Sequence, residues 1–147
     1  MPDALKNKAG IAIGECCYQA YAQLYASDRF LALQDKGARP QRLLMASTST
    51  KDPSLPDTMY VTALAAARTV NTMPEETLHA FFDHGKMEGL VRVDGGTGPN
   101  TLAAMEKVGC GVEACALELQ REGADSFVKS WNDMLAKIQG KSAAMVK

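Results

Sequence analysis

Residues 42–53 read Arg-Leu-Leu-Met-Ala-Ser-Thr-Ser-Thr-Lys-Asp-Pro, and this stretch decides the fold class. Its first part, Arg42–Ala46, is a short apolar run, and its second part is a run of hydroxyl side chains that ends at Lys51. An apolar run that follows a helix and stops abruptly at polar residues is typical of a buried parallel strand. A second short strand is predicted at Arg68–Asn71. Because most of the remaining sequence has helical periodicity, we predict a predominantly helical α/β protein.

The sequence before the first strand predicts two helices. Ser27 is placed to cap the second of them, Asp28–Lys36, which Gly37 ends. In the first helix two stripes recur at helical spacing, and each could face a neighbour. One stripe contains Ile13, Cys17, Ala20 and Leu24, and the adjoining stripe contains Tyr18, Tyr21 and Tyr25.

The sequence after the second strand also predicts mainly helices. Thr72–Glu75 has the pattern of a capping box that opens a helix ending at Gly85. Leu90–Val93 is a candidate third strand. Three further helices are expected: one around residues 102–108, one over 112–119, and one over 127–138 whose apolar stripe includes Trp131, assigned to the core.

Length and composition exclude several classes of protein. The 147 residues suit a single domain over residues 1–147, but a complete (β/α)₈ barrel needs about 200 residues or more. With 46% hydrophobic residues and a net charge of −1, intrinsic disorder and a broad electrostatic surface for nucleic acid are both disfavoured. No membrane span or signal peptide is readable. Four cysteines without metal-ligand spacing are expected to be buried thiols, so the expected location is the cytoplasm.

Lys51 and Ser47 are the candidate binding residues. They lie at the predicted carboxyl end of a buried strand, where α/β folds place their ligands. An ammonium group there can bind a phosphate, helped by Ser47, Thr48 or backbone N–H groups. From spacing alone, a solvated loop lysine is the more frequent outcome, and an amine nucleophile is a third alternative.

The other polar motifs favour structural roles. His79 and His84 are five residues apart, so they point in different directions from a helix and do not suit one metal ion. Residues 94–100 form a glycine-rich segment, but it lacks the lysine of a phosphate-binding loop and is expected to be an ordinary loop.

Residues 37–53, 57–61, 69–78 and 82–85 closely resemble bacterial transaldolases of the longer type found in actinobacteria and cyanobacteria. That resemblance implies a (β/α)₈ barrel that transfers a dihydroxyacetone unit between sugar phosphates, through a lysine Schiff base and without a cofactor. Arg42–Ala46 then resembles strand seven and Arg68–Asn71 strand eight. The expected fold is therefore part of a TIM barrel, about strands 7 and 8 with flanking helices, and not a complete barrel.

The resemblance also implies roles for individual residues. Lys51 and Ser47 match positions that bind the substrate phosphate. The Schiff-base lysine lies on strand four of the family's barrel and the acid/base carboxylates on strands one and three, so all three would lie upstream of Met1. We therefore expect no catalytic residue and no metal ligand in this chain, and no activity from the chain alone.

Three hypotheses about function follow. The first is a transaldolase segment that acts on sugar phosphates together with its missing part. Its candidate partners are the N-terminal half of the barrel as a separate chain, or further copies of this chain. The second is a non-catalytic helical remnant or partner-binding domain. A stand-alone aldolase that uses Lys51 ranks below both. Nucleic acid and membrane partners are not expected.

Overall fold

The computed structural model describes residues 2–145. The chain forms two compact units, one ending at Ala104 and one beginning at Met105. The single domain over residues 1–147 stays a prediction. The helices are a 3₁₀ turn at Asp3–Leu5 and α1 (Ala9–Tyr25), α2 (Asp28–Gln34), α3 (Met59–Ala63), α4 (Glu75–His84), α5 (Gly98–Lys107) and α6 (Val112–Met145).

The two predicted strands are confirmed. β1 (Leu43–Met45) pairs in parallel with β2 (Thr69–Asn71), so that Leu44 lies opposite Val70. The described residues are thus mostly helical with a two-stranded parallel sheet, and they do not close a barrel. The candidate strand at Leu90–Val93 is wrong: residues 85–92 form no regular element, although the Val91 N–H donates to the Ala65 carbonyl oxygen over 2.8 Å.

The core of the first unit lies between α1 and the sheet. Tyr18, Met45 and Leu64 are its buried centre. The Tyr18 hydroxyl donates to the Ala67 carbonyl oxygen (3.4 Å) and the Tyr21 hydroxyl to that of Arg68 (3.3 Å), directly before β2. The tyrosine stripe of α1 therefore faces the sheet. The other predicted stripe is partly solvent-exposed, with Leu24 60% exposed.

Two predicted helix caps have different outcomes. The Ser27 side chain accepts a hydrogen bond from the Phe30 N–H (3.3 Å), which confirms the cap of α2. The capping box at Thr72–Glu75 is wrong, because α4 begins at Glu75 without a side-chain cap. The Thr72 N–H instead donates to the Met45 carbonyl oxygen (2.9 Å), so this residue extends the pairing of the strands.

The C-terminal helices differ most from expectation. The two predicted helices over 112–119 and 127–138 are one continuous α-helix of 34 residues, α6. Gly123 did not interrupt it, since one glycine inside a helix costs only about 1 kcal/mol relative to alanine. The prediction that Trp131 belongs to the core is wrong, because this residue is 59% exposed.

All four cysteines are free thiols, as predicted. The predicted burial is wrong, because Cys16 and Cys110 are only partly buried and Cys17 and Cys115 are exposed. Among the described residues no helix combines the length and the apolar character that a bilayer crossing requires.

His84 connects the end of α4 to the segment before α3. Its Nε2 lies 2.9 Å from Asp57 Oδ1 and its Nδ1 lies 3.1 Å from Asp83 Oδ2. Carboxylates at both ring nitrogens favour the imidazolium form, so the hydrogen bond to Asp57, and then that to Asp83, raises the pKa of His84 above 6.5. The hydrogen bond from His84 likewise lowers the pKa of Asp57 below 3.8.

We predict that the free energy of unfolding is greatest at weakly acidic pH. The His84 contribution is fully present below pH 6.5 and is lost as the pH rises through the raised pKa of the folded state. The Asp57 contribution is present above pH 3.8 and is lost as the pH falls through the lowered pKa. Urea denaturation at weakly acidic and weakly alkaline pH measures the difference.

His84→Gln should reduce this pH dependence, because glutamine carries no titratable proton. The matched control is His79→Gln on the same helix, since His79 lies only beside Glu75, one turn away, at 3.6 Å. Equal pH dependence in the wild type and His84→Gln would contradict the assignment.

Candidate binding site at the carboxyl end of the sheet

A cleft of about 460 Å³ opens where β1 ends. Its lining comes from three parts of the first unit: the start of α1, the segment that follows β1, and α3. The lining residues are Asn7, Gly10, Ala46, Ser47, Thr48, Ser49, Thr50, Lys51, Asp52, Leu55, Tyr60 and Leu64. Both predicted binding residues, Ser47 and Lys51, therefore line one cleft, at the edge of the sheet where the sequence placed them.

Thr48, which lines this cleft, is hydrogen-bonded to the end of the second strand. Its side chain is 1% exposed, and its hydroxyl lies 2.7 Å from Asn71 Oδ1 and 3.1 Å from the Thr72 carbonyl oxygen. The single hydroxyl proton is shared between these two acceptors. Thr48 is thus committed to joining the strand ends and is not available to a ligand, which corrects the prediction that it could help to bind phosphate.

Ser47 has an unfavourable backbone conformation. Its φ is +57°, in the left-handed region that side chains with a Cβ rarely adopt. Asn7 in the same cleft has a φ of +59°, which asparagine tolerates, and Arg68, outside the cleft lining, also has a φ of +59°. Strained backbone of this kind persists where the surrounding structure requires it, and functional sites are such places. The turn at Ser47 leads the chain from β1 into the segment that ends at Lys51.

Lys51 presents an exposed ammonium group at the cleft. A lysine becomes an amine nucleophile when it is desolvated in an apolar pocket, and the surroundings of Lys51 do not provide that. An exposed ammonium instead suits electrostatic binding of an anion.

The carboxylate of the neighbouring Asp52 is hydrogen-bonded to Ser54. The Asp52 carboxylate accepts hydrogen bonds from the Ser54 hydroxyl (2.7 Å) and N–H (2.9 Å), which lower the pKa of Asp52. Its negative charge is therefore partly satisfied within its own turn. Thr50 completes the segment: its hydroxyl oxygen is buried and has no hydrogen-bond partner among the described residues.

The glycine-rich segment at residues 94–100 binds its own carboxylate. Asp94 accepts hydrogen bonds from Arg92 Nε (3.1 Å) and from the Gly96 N–H (3.0 Å), and the Arg92 guanidinium, with the Gly96 N–H, lowers the pKa of Asp94 to about 2. Gly95 and Gly96 both have positive φ. Residues 94–97 therefore form a turn, as expected of an ordinary loop, and the Thr97 hydroxyl donates to Glu15 Oε2 of α1 (3.2 Å). The prediction of a loop is wrong for Gly98–Asn100, which form the first turn of α5.

Two residues that line the cleft, Asn7 and Tyr60, were not predicted as site residues from the sequence. Asn7 precedes α1, and Tyr60 lies within α3, so both are distant in sequence from the strand that marks the site. Asn7 lies outside every motif singled out above, and Tyr60 lies in the 57–61 match without a role assigned to it. The close packing of Gly10 against Tyr60, whose Cε1 would lie 3.2 Å from an added Cβ, brings their elements together. Only the tertiary fold reveals that proximity.

Comparison with known proteins matches this chain to one family along almost its whole length. The sequence profile described as Transaldolase/Fructose-6-phosphate aldolase matches residues 2–138. The chain belongs to this family. The resemblance inferred from the sequence is therefore confirmed, including its extent over nearly the whole chain.

Curated relatives show how much of a family member the chain represents. It is 46% identical to a transaldolase of Arthrobacter sp. (strain FB24) over 145 residues, which are 98% of this chain and 39% of that protein. A transaldolase of Thermobifida fusca is 46% identical over 142 residues (96% and 39%), and one of Mycolicibacterium smegmatis 41% identical over 145 residues (98% and 39%). The chain thus spans about two-fifths of the length of these relatives.

We predict that Ser47→Gly raises the free energy of unfolding by up to about 1 kcal/mol, because glycine adopts a φ of +57° without steric cost. The control is Ser49→Gly, a neighbouring serine without positive φ, where glycine should lower the free energy of unfolding by about 0.5–1 kcal/mol through the unfolded state. Urea denaturation compares them, and similar losses in both variants would rule out strain at Ser47.

Proposed function

We propose that this chain is the C-terminal part of a transaldolase-type enzyme and supplies its binding site for the phosphate of a sugar phosphate. The observation that carries the proposal is the position of Lys51 and Ser47 in one cleft at the carboxyl end of a parallel strand, in a chain of this family. In this proposal β1 and β2 are strands 7 and 8 of the complete barrel.

The chemistry of the cleft supports phosphate as the bound group. An exposed ammonium attracts a dianion as a point charge, and the Ser47 hydroxyl can donate a hydrogen bond to a phosphate oxygen. Asp52, the acidic residue of the lining, stays ionised because it accepts two hydrogen bonds from Ser54, so Lys51 and Ser47 must bind a phosphate against the charge of this carboxylate. In this role Lys51 orients the substrate by its phosphate end and takes no part in bond making.

The carbon–carbon chemistry then requires groups from outside this chain. Transfer of a dihydroxyacetone unit through a Schiff base needs a lysine that is deprotonated when it attacks the carbonyl carbon. It also needs a carboxylic acid or carboxylate that moves protons at the carbonyl and hydroxyl oxygens. The exposed position of Lys51 supports neither role. We therefore propose that these groups come from the N-terminal part of the barrel and that the chain alone is inactive.

The geometry gives the alternative function, a non-catalytic helical remnant, less support. A remnant without a ligand has no need of the combination of Ser47 and an exposed Lys51 in one cleft at the carboxyl end of β1. A sugar phosphate bound at the cleft explains that combination.

We predict that Lys51→Met weakens the binding of fructose 6-phosphate to the chain about tenfold, as expected for the loss of one charge-assisted contact. The matched control is Lys36→Met, an exposed lysine that does not line the cleft, which should change the affinity little. Titration followed by NMR of the labelled chain gives the dissociation constants, with fructose as the ligand without phosphate. Equal binding of fructose and its phosphate, or equal loss in both variants, would refute the phosphate site.

We also predict that borohydride reduction of the chain with fructose 6-phosphate yields no covalent adduct by mass spectrometry. Co-expression with the first three-fifths of the Arthrobacter relative should restore an adduct on that added polypeptide, together with transaldolase activity. In the restored enzyme Lys51→Met should raise KM about tenfold, because it weakens substrate binding. An adduct on Lys51 in the isolated chain would overturn the proposed division of roles.

A further inference from the structure

The segment that carries Lys51 is exposed and is held mainly at its two ends. Residues 49–57 include no buried residue, and Lys51 itself is exposed. At the start of the segment, the Thr48 hydroxyl lies 2.7 Å from Asn71 Oδ1 at the end of β2. A segment with few buried contacts opens more easily than a packed element. The contacts at its two ends therefore determine how well Lys51 is positioned.

The contact at the other end is made by Asp57. Its Oδ1 lies 2.9 Å from His84 Nε2, at the C-terminal end of α4. Among the described residues this is the only hydrogen bond that joins residues 49–63 to another part of the chain. From Thr58 onward the chain is held by packing, since Thr58 and Val61 are buried. The hydrogen bond to His84 thus fixes the point at which the exposed segment meets α3.

His84 lies outside the cleft that contains Lys51. Leu55 and Tyr60, on either side of Asp57 in sequence, line that cleft. Asp57 and His84 line a second cleft of about 860 Å³, and the two clefts have no lining residue in common. His84 can therefore affect a ligand beside Lys51 only through the segment that Asp57 ends.

We propose that His84 is a positioning residue for the cleft at Lys51, because its hydrogen bond to Asp57 holds residues 49–57 in the conformation that binds a phosphate. This inference rests on the proposed function, since it assigns a further residue to the same binding site. When the hydrogen bond is broken, the segment gains conformational freedom. Phosphate binding must then restrict that freedom, which lowers the affinity.

The protonation state of His84 determines the strength of this contact. The imidazolium donates to Asp57 and to Asp83 at the same time, whereas the neutral ring has one N–H and can donate to only one of them. These hydrogen bonds, that to Asp57 first, raise the pKa of His84 above 6.5. Phosphate affinity should therefore be highest when His84 is protonated and should fall as the pH rises through this raised pKa.

The other charged groups around His84 do not reverse this effect. The second cleft also contains two acidic and two basic side chains, from α1 and from the segment after α4: Glu15, Glu88, Lys86 and Arg92. Their charges balance, so the two carboxylates that are hydrogen-bonded to the ring dominate its surroundings.

Binding of fructose 6-phosphate to the full chain, followed by NMR at pH 6.5 and at about pH 9, tests the coupling. We expect the ratio of the two dissociation constants to be about threefold larger in the wild type than in His84→Gln, because glutamine can donate to Asp57 without titrating. His79→Gln is the matched control, since His79 lies on the same helix beside Glu75 and lines neither cleft. It should keep the wild-type ratio. Titration of the ligand itself affects all three proteins alike.

The outcomes separate this inference from the proposed function. If the wild type binds no fructose 6-phosphate at either pH, the phosphate site is wrong, and the role of His84 is wrong with it. If the wild type binds but has the same ratio as His84→Gln, only the role of His84 is overturned.

A reciprocal measurement needs no histidine variant. The chain has two histidines, so the ring signals of both can be followed by NMR as the pH changes. If protonation of His84 strengthens phosphate binding, linkage requires that saturating fructose 6-phosphate raises the pKa of His84. Asp57→Ala should abolish this effect, which distinguishes the hydrogen bond from direct attraction between phosphate and imidazolium. A pKa that the ligand leaves unchanged in the wild type, or raises equally in Asp57→Ala, would contradict the proposal.

Discussion

The hydroxyl of Thr48 joins the carboxyl ends of the two strands, and the position of the cleft depends on this contact. Three-residue strands have few ladder hydrogen bonds, and a two-stranded sheet alone is only marginally stable in water. The bond to Asn71, together with that from the Thr72 N–H to the Met45 carbonyl oxygen, extends the pairing beyond the last strand residues. At the amino end of β2, the hydroxyls of Tyr18 and Tyr21 of α1 donate to the carbonyl oxygens of the two residues that precede the strand.

This arrangement explains how so small a sheet presents a binding cleft. The chain leaves β1 through a left-handed turn at Ser47, because Thr48 must point back toward Asn71 while the next residues pass along the edge of the sheet. The segment up to Lys51 is thereby held between the start of α1 and α3. Steric strain at Ser47 and the Thr50 hydroxyl, which has no partner among the described residues, are local costs of that route.

The family relationship and the two-stranded sheet both support the proposal that this chain is part of a longer barrel protein. Relatives from Arthrobacter and Thermobifida share 46% of residues with this chain, yet the chain covers only 39% of each. A parallel sheet of two strands leaves a free hydrogen-bonding edge on each strand, and half-exposed Leu44 lies in one of them. Additional strands from the N-terminal part of the proposed barrel would cover both edges.

The sequence alone determined both strands, the cap at Ser27, the cleft residues Lys51 and Ser47, and the family, because short apolar runs, caps and motifs are local in sequence. It did not determine which stripe of α1 is buried, that Thr72 binds Met45 rather than capping α4, or that Asn7 and Tyr60 join the cleft. Nor did it show that Trp131 is exposed. Those outcomes were decided by the tertiary structure, since an apolar stripe or a hydroxyl has several possible partners and only the packing of distant elements selects one.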